Sequence, residues 1–316
     1  MGETVGRFAP TPSGRMHLGN LFSCLIAWLS VRSQGGRMIL RQEDLDPQRT
    51  SPAFAAQVEE DLAFLGLDWD EGGTKGGPAG PYRQSQRGDF YESCLNRLAA
   101  MGLTYPCFCS RAELHAASAP HTADGDPIYP GTCRNLSPQE IEKKAQARPP
   151  AVRLKASGKI LFTDRHYGPQ AQDLATECGD FILRRWDGVF AYQLAVVADD
   201  GAMGVTEVVR GRDLLSSAPR QLYLYRLLAL PEPVFRHVPL VLARDGRRLS
   251  KREQDVSLDR LKERYRAQDI IGRLAWLAGQ LDRPEPVAAK ELIPVFQWEK
   301  VPKEDIFLPE RLFEST

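Results

Sequence analysis

The sequence predicts an α/β protein built on a parallel sheet, interrupted by an irregular cysteine-bearing insertion and followed by a helical C-terminal part. Three observations predict it. The opening 41 residues run strand, Gly- and Pro-lined loop, helix, strand, which is a βαβ unit with a right-handed crossover. Strand-like apolar runs return after residue 180, at 181–185, 191–197 and 204–211. Between them, residues 105–150 carry three cysteines and many prolines, with little apolar content for a core of their own.

Taken in order, VGRFA at 5–9 is a short buried strand. Residues 18–34 form a helix that Gly35 and Gly36 end, and RMILR at 37–41 is the second strand. A helix spans about 52–65, with Pro52 at an early position and Gly66 just past the end. Residues 72–88 (GGTKGGPAGPYRQSQRG) are too rich in Gly and Pro for regular structure, and helix resumes over 87–102. Asp199-Asp200-Gly201 reads as a turn between the strand runs 191–197 and 204–211. After about Pro231 the chain reads as helical and basic, with YRAQDIIGRLAWLAGQL as an amphipathic helix.

The chain has 316 residues, 42% hydrophobic and 26% charged, enough for two or three domains with cores that need no disulfide. The formal net charge is zero, so the molecule as a whole is no trap for polyanions, although a local basic surface remains open. MGETVGRFAPTPSG lacks the basic and apolar regions of a secretory signal, and the uncharged stretch 16–31 is short of the roughly 20 apolar residues that span a bilayer. These features predict a soluble cytoplasmic protein whose six cysteines are reduced, so that a cysteine cluster points to metal before disulfide.

Two stretches carry chemistry. RFAPTPSGRMHLGN at 7–20 joins a strand to a helix through a turn, an arrangement that offers main-chain N–H groups and a helix start to a phosphate. No GxxxxGK[ST] or GxGxxG accompanies it. RDGRRLSKR at 244–252 read alone is a solvated basic loop, and a lone histidine at a helix start is usually a cap. Together, HLGN and RLSKR resemble the HIGH and KMSKS signatures of class I aminoacyl-tRNA synthetases, whose catalytic domain is Rossmann-like. The resemblance implies that His17 and Lys251 are catalytic. They bind ATP, accompanied by Mg, and stabilise the transition state as an amino-acid carboxylate attacks the α-phosphate. Gly19, Asn20 and Ser250 complete the implied ATP site. Asn20 stands at the last HIGH position, where it keeps hydrogen-bonding ability and cannot carry a proton.

Further stretches narrow the resemblance. RQEDLDPQR (41–49), GLDWDEGG (66–73), GPYRQSQR (80–87), FAYQLAVVADD (190–200) and GVTEVVRGRDLL (204–215) are similar to glutamyl-tRNA synthetases, over roughly residues 5–255. The resemblance implies L-glutamate as the amino acid, held by Arg7, Phe8, Ala9, Pro10, Thr11, Glu43, Tyr192 and Arg210. Glu43 meets the ammonium, Arg7 and Arg210 the carboxylates, and Tyr192 offers a hydroxyl. A planar guanidinium can grip a carboxylate bidentately and tell it from an amide. Read singly, Glu43 and Arg41 are strand-end surface charges, and Tyr192 is a half-buried strand aromatic.

Cys107-Phe108-Cys109 with Tyr129 and Cys133 resembles a structural zinc site of the CxC…YxxxC type, with Cys107, Cys109, Tyr129 and Cys133 as ligands. His115 and His121 are alternatives for the fourth place. Cys24, Cys94 and Cys178 read as small core residues.

The sequence divides into 1–104 and 181–230 as two halves of the catalytic domain, 105–180 as the insertion, and 231–316 as the KMSKS-like loop with a helical subdomain contacting the tRNA stem. The stretch beyond Arg252 is short for an anticodon-binding region. That pattern resembles a truncated branch of the family, which activates glutamate without needing tRNA and passes it to queuosine at the wobble position of the tRNA(Asp) anticodon. The alternatives are a compact enzyme that charges the tRNA 3′ end, and a non-catalytic paralogue that binds glutamate or tRNA. A monomer is expected.

Overall fold

The structure is a computed structural model and describes residues 2–110, 113, 128–249, 257–310 and 312–313. Its elements in order are β1 (Val5–Phe8), α1 (Leu18–Arg32), β2 (Arg37–Leu40), α2 (Pro52–Phe64), β3 (Glu71–Gly72), α3 (Gly88–Ala100), β4 (Thr104–Cys107), α4 (Pro138–Ala145) and β5 (Ala151–Leu154). Then come the hairpin β6 (Lys159–Asp164) and β7 (Gly168–Asp173), α5 (Leu174–Glu177), β8 (Phe181–Arg184), α6 (Tyr192–Ala202), β9 (Glu207–Gly211), α7 (Ala218–Leu227), β10 (Val234–Val238) and β11 (Val241–Leu242). The chain ends with α8 (Leu258–Arg264), α9 (Ala267–Leu277) and β12 (Ile306–Phe307).

β1 pairs in parallel with β2, and β2 with β3. β9 pairs in parallel with β10. The two pieces meet along β1 and β9, where Thr206 N–H donates to the Val5 carbonyl at 2.9 Å and the Arg7 guanidinium to the Val209 carbonyl at 3.1 Å. The chain therefore leaves β1 toward β2 on one side and returns to β9 on the other. That reversal opens a crevice beyond the carboxyl ends of the strands, where open α/β sheets bind ligands.

α1 is apolar almost all round because it is covered on two sides. Leu18, Leu21, Phe22, Leu25, Ile26 and Leu29 are shut off from solvent, packed between the sheet and the C-terminal helices. Each such side chain contributes about 1.5–3 kcal/mol. The helix lies so close to β1 that a Cβ on Gly6 would come within 2.4 Å of Val31 Cγ2. α2 starts as its sequence signals: the Ser51 hydroxyl accepts from Phe54 N–H at 3.2 Å and Pro52 takes the first turn. Gly66, at φ 74°, ends it, with Leu67 N–H on the Leu62 carbonyl.

Two sequence expectations are corrected. Residues 191–197, read as a strand, begin the helix α6, and Asp199-Asp200-Gly201, read as a turn, lie inside it. The run Leu194 to Ala198 is buried throughout, and an unbroken apolar run looks the same in a buried helix and a buried strand. The two aspartates are buried because arginines meet them. After Pro231 the chain is not yet helical: β10 and β11 come first, and β10 completes the parallel sheet beside β9.

The insertion is tied to the body by an antiparallel sheet, β4–β5–β8, and has its own small cluster of Tyr105, Cys107, Phe108, Tyr129 and Cys133. The C-terminal part packs on α1. α9 buries Ile270, Ile271 and Leu274 there, Trp298 donates to Ser30 Oγ at 2.9 Å, and β12 pairs in parallel with β11. Among the described residues no helix is long and apolar enough to cross a membrane.

Candidate active site and metal centre

The loop leaving β1 and the start of α1 wall one side of a cleft of about 720 Å³. β1 and its loop contribute Arg7, Phe8, Ala9, Pro10 and Thr11, and the helix start contributes His17, Gly19 and Asn20. His17 is the N-cap of α1, with extended backbone, and its N–H donates to Asn20 Oδ1 at 3.3 Å. Asn20 thus closes the loop onto the helix, a local task that needs no proton. A Cβ on Gly19 would stand 3.3 Å from the imidazole Cε1 and Nδ1, so a side chain here would crowd the ring. Ser257 pairs with His17 across an antiparallel bridge, and Leu258 N–H donates to the Met16 carbonyl at 3.1 Å. Arg248 and Leu249 also line the cleft. Ser250 and Lys251, together with Arg252, lie outside the described residues.

The other wall is charged and buried. Glu43, Tyr192 and Arg210 face the cleft with Arg7. Behind them stands a network that the sequence reading missed. Arg41, which read as a strand-end surface charge, has no exposed surface. It donates to Asp200 at 2.5 Å and to Glu43 at 3.1 Å. Asp199 accepts from Arg87 at 2.6 Å, Gln84 at 2.8 Å and Tyr91 at 2.9 Å. Burial pushes the Glu43 carboxyl above its ordinary range, and Arg41 and Arg7 pull it back only in part. The available signal was a pair of acids inside an otherwise apolar run, which only buried cations can compensate.

Arg210 is held differently. Its partners are His237 Nε2 at 3.0 Å, Gln221 Oε1 at 2.8 Å, the Leu214 carbonyl at 3.2 Å and the Tyr192 hydroxyl at 3.4 Å, all of them uncharged. Burial draws the guanidinium below its usual pKa, as expected for a cation short of countercharge; it stays protonated at any ordinary pH. A buried cation at a cleft, satisfied only by neutral acceptors, is a receptor for an anion of the right shape.

Away from the cleft, the sulfurs of Cys107, Cys109 and Cys133 all lie within 4.8 Å of one another and can hold a metal ion. The Tyr129 hydroxyl joins them, 3.5 Å from Cys107 Sγ and 3.7 Å from Cys109 Sγ, and it is fixed by Cys133 N–H at 2.8 Å. His115 and His121, the alternatives for the fourth place, lie outside the described residues. Arg153, unforeseen from sequence, donates to Cys107 Sγ at 3.2 Å and stacks on the Tyr129 ring at 3.7 Å. Burial pushes the Cys107 thiol up, but Tyr129 and Arg153 outweigh that and hold it below its ordinary value. Cys94 and Cys178 are core residues, as expected; Cys24 is only half-buried and lines the cleft.

A parallel sheet with a reversal at β1, a histidine-capped helix at that reversal and a charged cleft beside it are the parts of a nucleotide-dependent ligase. Comparison with known proteins agrees. Residues 3–301 match the model of the class I tRNA synthetases (E and Q), catalytic domain. This chain belongs to that family and is a ligase of the class, which uses ATP. Within it the chain groups with the glutamyl-Q tRNA(Asp) synthetases. The one from Symbiobacterium thermophilum is 51% identical over 310 residues, covering 96% of this chain and 95% of that protein. The one from Nitratidesulfovibrio vulgaris is 48% identical over 308 residues, with the same coverage of 96% and 95%. Among solved structures, a glutamate tRNA ligase from Elizabethkingia meningosepticum in complex with its amino acid superposes with a TM-score of 0.84 at 29% identity, covering 98% of this chain and 68% of that one. The family implies glutamate, ATP and tRNA as partners.

Proposed function

We propose that this chain activates L-glutamate with ATP, without needing tRNA, and transfers the glutamyl group to queuosine at the wobble position of the tRNA(Asp) anticodon. The observation that carries the amino-acid choice is Arg210: a buried guanidinium with only uncharged partners, lining the same cleft as the acidic Glu43. A substrate with a side-chain carboxylate and an ammonium complements both. Glu43 takes the ammonium, Arg7 and Arg210 take carboxylates, and Tyr192 donates its hydroxyl. Phe8, Ala9, Pro10 and Thr11 supply main chain and wall.

The α-carboxylate oxygen attacks the α-phosphorus of ATP, which travels with Mg, and pyrophosphate leaves. His17 and Lys251 stabilise the charge that builds on the phosphoryl oxygens, while Gly19, Asn20 and Ser250 shape the nucleotide site. Placement and electrostatics supply the rate, and no covalent enzyme intermediate is needed. The position of Leu249 in the cleft wall and the pairing of Ser257 with His17 support this role for Lys251, since both flanks of its segment sit at the cleft. A hydroxyl of queuosine then attacks the glutamyl carbonyl, losing its proton, and AMP leaves.

Cys107, Cys109, Tyr129 and Cys133 hold one structural zinc ion in this reading. Zinc at about 2.3 Å from sulfur and about 2.0 Å from oxygen, in a tetrahedron, sets sulfur–sulfur edges near 3.8 Å and sulfur–oxygen edges near 3.5 Å. The observed 3.6 Å between Cys109 and Cys133, and the two contacts of Tyr129, fit it. Such an ion would clasp the end of β4 to the segment 129–133. We place the protein in the cytoplasm as a monomer.

The test has two stages. Glutamate-dependent ATP–pyrophosphate exchange without tRNA reports the activation step; no exchange would leave a binding paralogue. Radiolabelled glutamate transferred to tRNA(Asp) is then mapped after cleavage. Label on the anticodon fragment supports the proposal, and label on the 3′ fragment would make the protein a compact charging enzyme.

A further inference from the structure

Resting on the glutamate reading, we infer that His237 and Asp164 form a positioning relay that fixes Arg210 while leaving its charge for the substrate, and that this relay sets the preference for a carboxylate over an amide side chain. The parallel register places His237 on β10 directly beside Arg210 on β9. Asp164, at the end of β6, comes in from the insertion hairpin and accepts from His237 Nδ1 at 2.6 Å. Both side chains are fully shut off from solvent.

Asp164 fixes the tautomer. It also accepts main-chain N–H groups from His166 at 2.9 Å, Tyr167 at 2.8 Å and His237 itself at 3.1 Å. A carboxylate with so many donors stays ionised, and it holds the imidazole proton on Nδ1. The lone pair of Nε2 is then left pointing at Arg210 Nε, 3.0 Å away. Burial pushes His237 down to about 4, so the ring is a neutral acceptor at working pH.

The consequence is electrostatic. A carboxylate placed directly behind Arg210 would orient it equally well, but would neutralise it, and the amide of glutamine would then be nearly as good a ligand as the carboxylate of glutamate. Interposing a neutral ring keeps the acid one imidazole away from the cation. The guanidinium has five N–H donors, and its four described acceptors include one long contact to Tyr192 at 3.4 Å. Donor capacity therefore remains on an orientation-locked group that lines the cleft.

The test uses two variants of the full chain. His237→Asn keeps a donor for Asp164 at the Nδ1 position and removes the acceptor from Arg210. His237→Gln keeps an acceptor at the Nε2 position and gives up the Asp164 link. In pyrophosphate exchange, His237→Asn is expected to raise the KM for glutamate at least tenfold and cut the glutamate-over-glutamine ratio of kcat/KM at least fivefold, with the KM for ATP within twofold. His237→Gln is expected to recover most of both losses. A merely structural histidine would move the glutamate and ATP constants together, equally in both variants, and that result overturns the relay. ¹⁵N NMR of the imidazoles in the wild type at pH 7 decides the same point without any amino acid: a proton on Nδ1 of His237 supports the relay, a proton on Nε2 overturns it. A wild type with no glutamate exchange would sink the substrate reading, and the imidazole shift would still judge the relay.

Discussion

Asp200, inside the helix α6, accepts a hydrogen bond from Arg41 at 2.5 Å, with neither side chain more than 3% exposed. The same carboxylate lies 3.7 Å from Arg7 Nε at the cleft. One buried acid therefore compensates two arginines, Arg41 in the interior and Arg7 at the cleft. Removing it strands both. Asp200→Ala is expected to lower unfolding free energy by roughly 3–5 kcal/mol, as measured by urea titration. A loss under about 1 kcal/mol would mean that water or a rearranged Glu43 takes its place.

How much of this was legible beforehand differs by range along the chain. The βαβ opening and the Pro52 start and Gly66 end of α2 were readable from local pattern, while Arg7, His17, Glu43, Tyr192 and Arg210, which line one cleft, were named through the family resemblance of their motifs. The pairing of Arg41 with Asp200 spans 159 residues, and that of His237 with Asp164 spans 73. Neither has a local signature: each depends on which strand lies beside which. The strand reading of 191–197 failed for the same reason, since the burial that makes the run apolar is set by α7 and the sheet. Arg153 was invisible because its role follows from stacking on a tyrosine 24 positions away in sequence.

Arg210→Ala removes the cation from a cleft wall that holds it with neutral groups. Losing one charge-assisted contact to a carboxylate costs about 2–3 kcal/mol, or roughly 30- to 150-fold in affinity. The KM for glutamate in pyrophosphate exchange is expected to rise by that order, with the KM for ATP nearly unchanged. Equal increases in both would reassign Arg210 to holding β9 and the following turn in place.

For the cysteine cluster, metal analysis of purified protein is expected to give about one equivalent of zinc, lost in Cys107→Ser together with several degrees of thermal stability. The cluster lies away from the cleft, so the KM for ATP measured on the surviving folded fraction should hold. Metal-free protein with wild-type stability and activity would remove zinc from the account.

His237 also predicts a pH dependence of stability. Folded, its pKa is pushed down by burial from 6.5 to about 4, so between those values the unfolded chain binds one more proton than the folded chain. Stability therefore rises with pH across this window. The contribution is fully present above about 6.5 and fades as pH falls toward 4. Wild type is expected to lose about 2 kcal/mol more than His237→Gln between about pH 7 and pH 4.5, by urea titration at each pH. Parallel curves would mean that His237 titrates alike in the folded and unfolded chain, and a wild type that gains on the variant as pH falls would mean an imidazolium paired with Asp164.

Lys251 lies between two described flanks that both reach the cleft. Leu249 lines its wall, and Ser257 pairs with His17 at the helix start. We propose that these flanks, one at the cleft wall and one beside His17, bring the Lys251 ammonium to the triphosphate. That ammonium matters most when charge gathers on the leaving pyrophosphate, so its loss should fall on kcat more than on ground-state affinity. Lys251→Ala is expected to lower the maximal rate of glutamate-dependent exchange at least about tenfold, since one transition-state contact is commonly worth about 2 kcal/mol or more. The KM for glutamate, whose binding the proposed reaction assigns to Arg210 and Glu43, should change little. A variant that exchanges at the wild-type rate would take Lys251 out of the chemistry and leave His17 and the helix start to stabilise the phosphoryl charge.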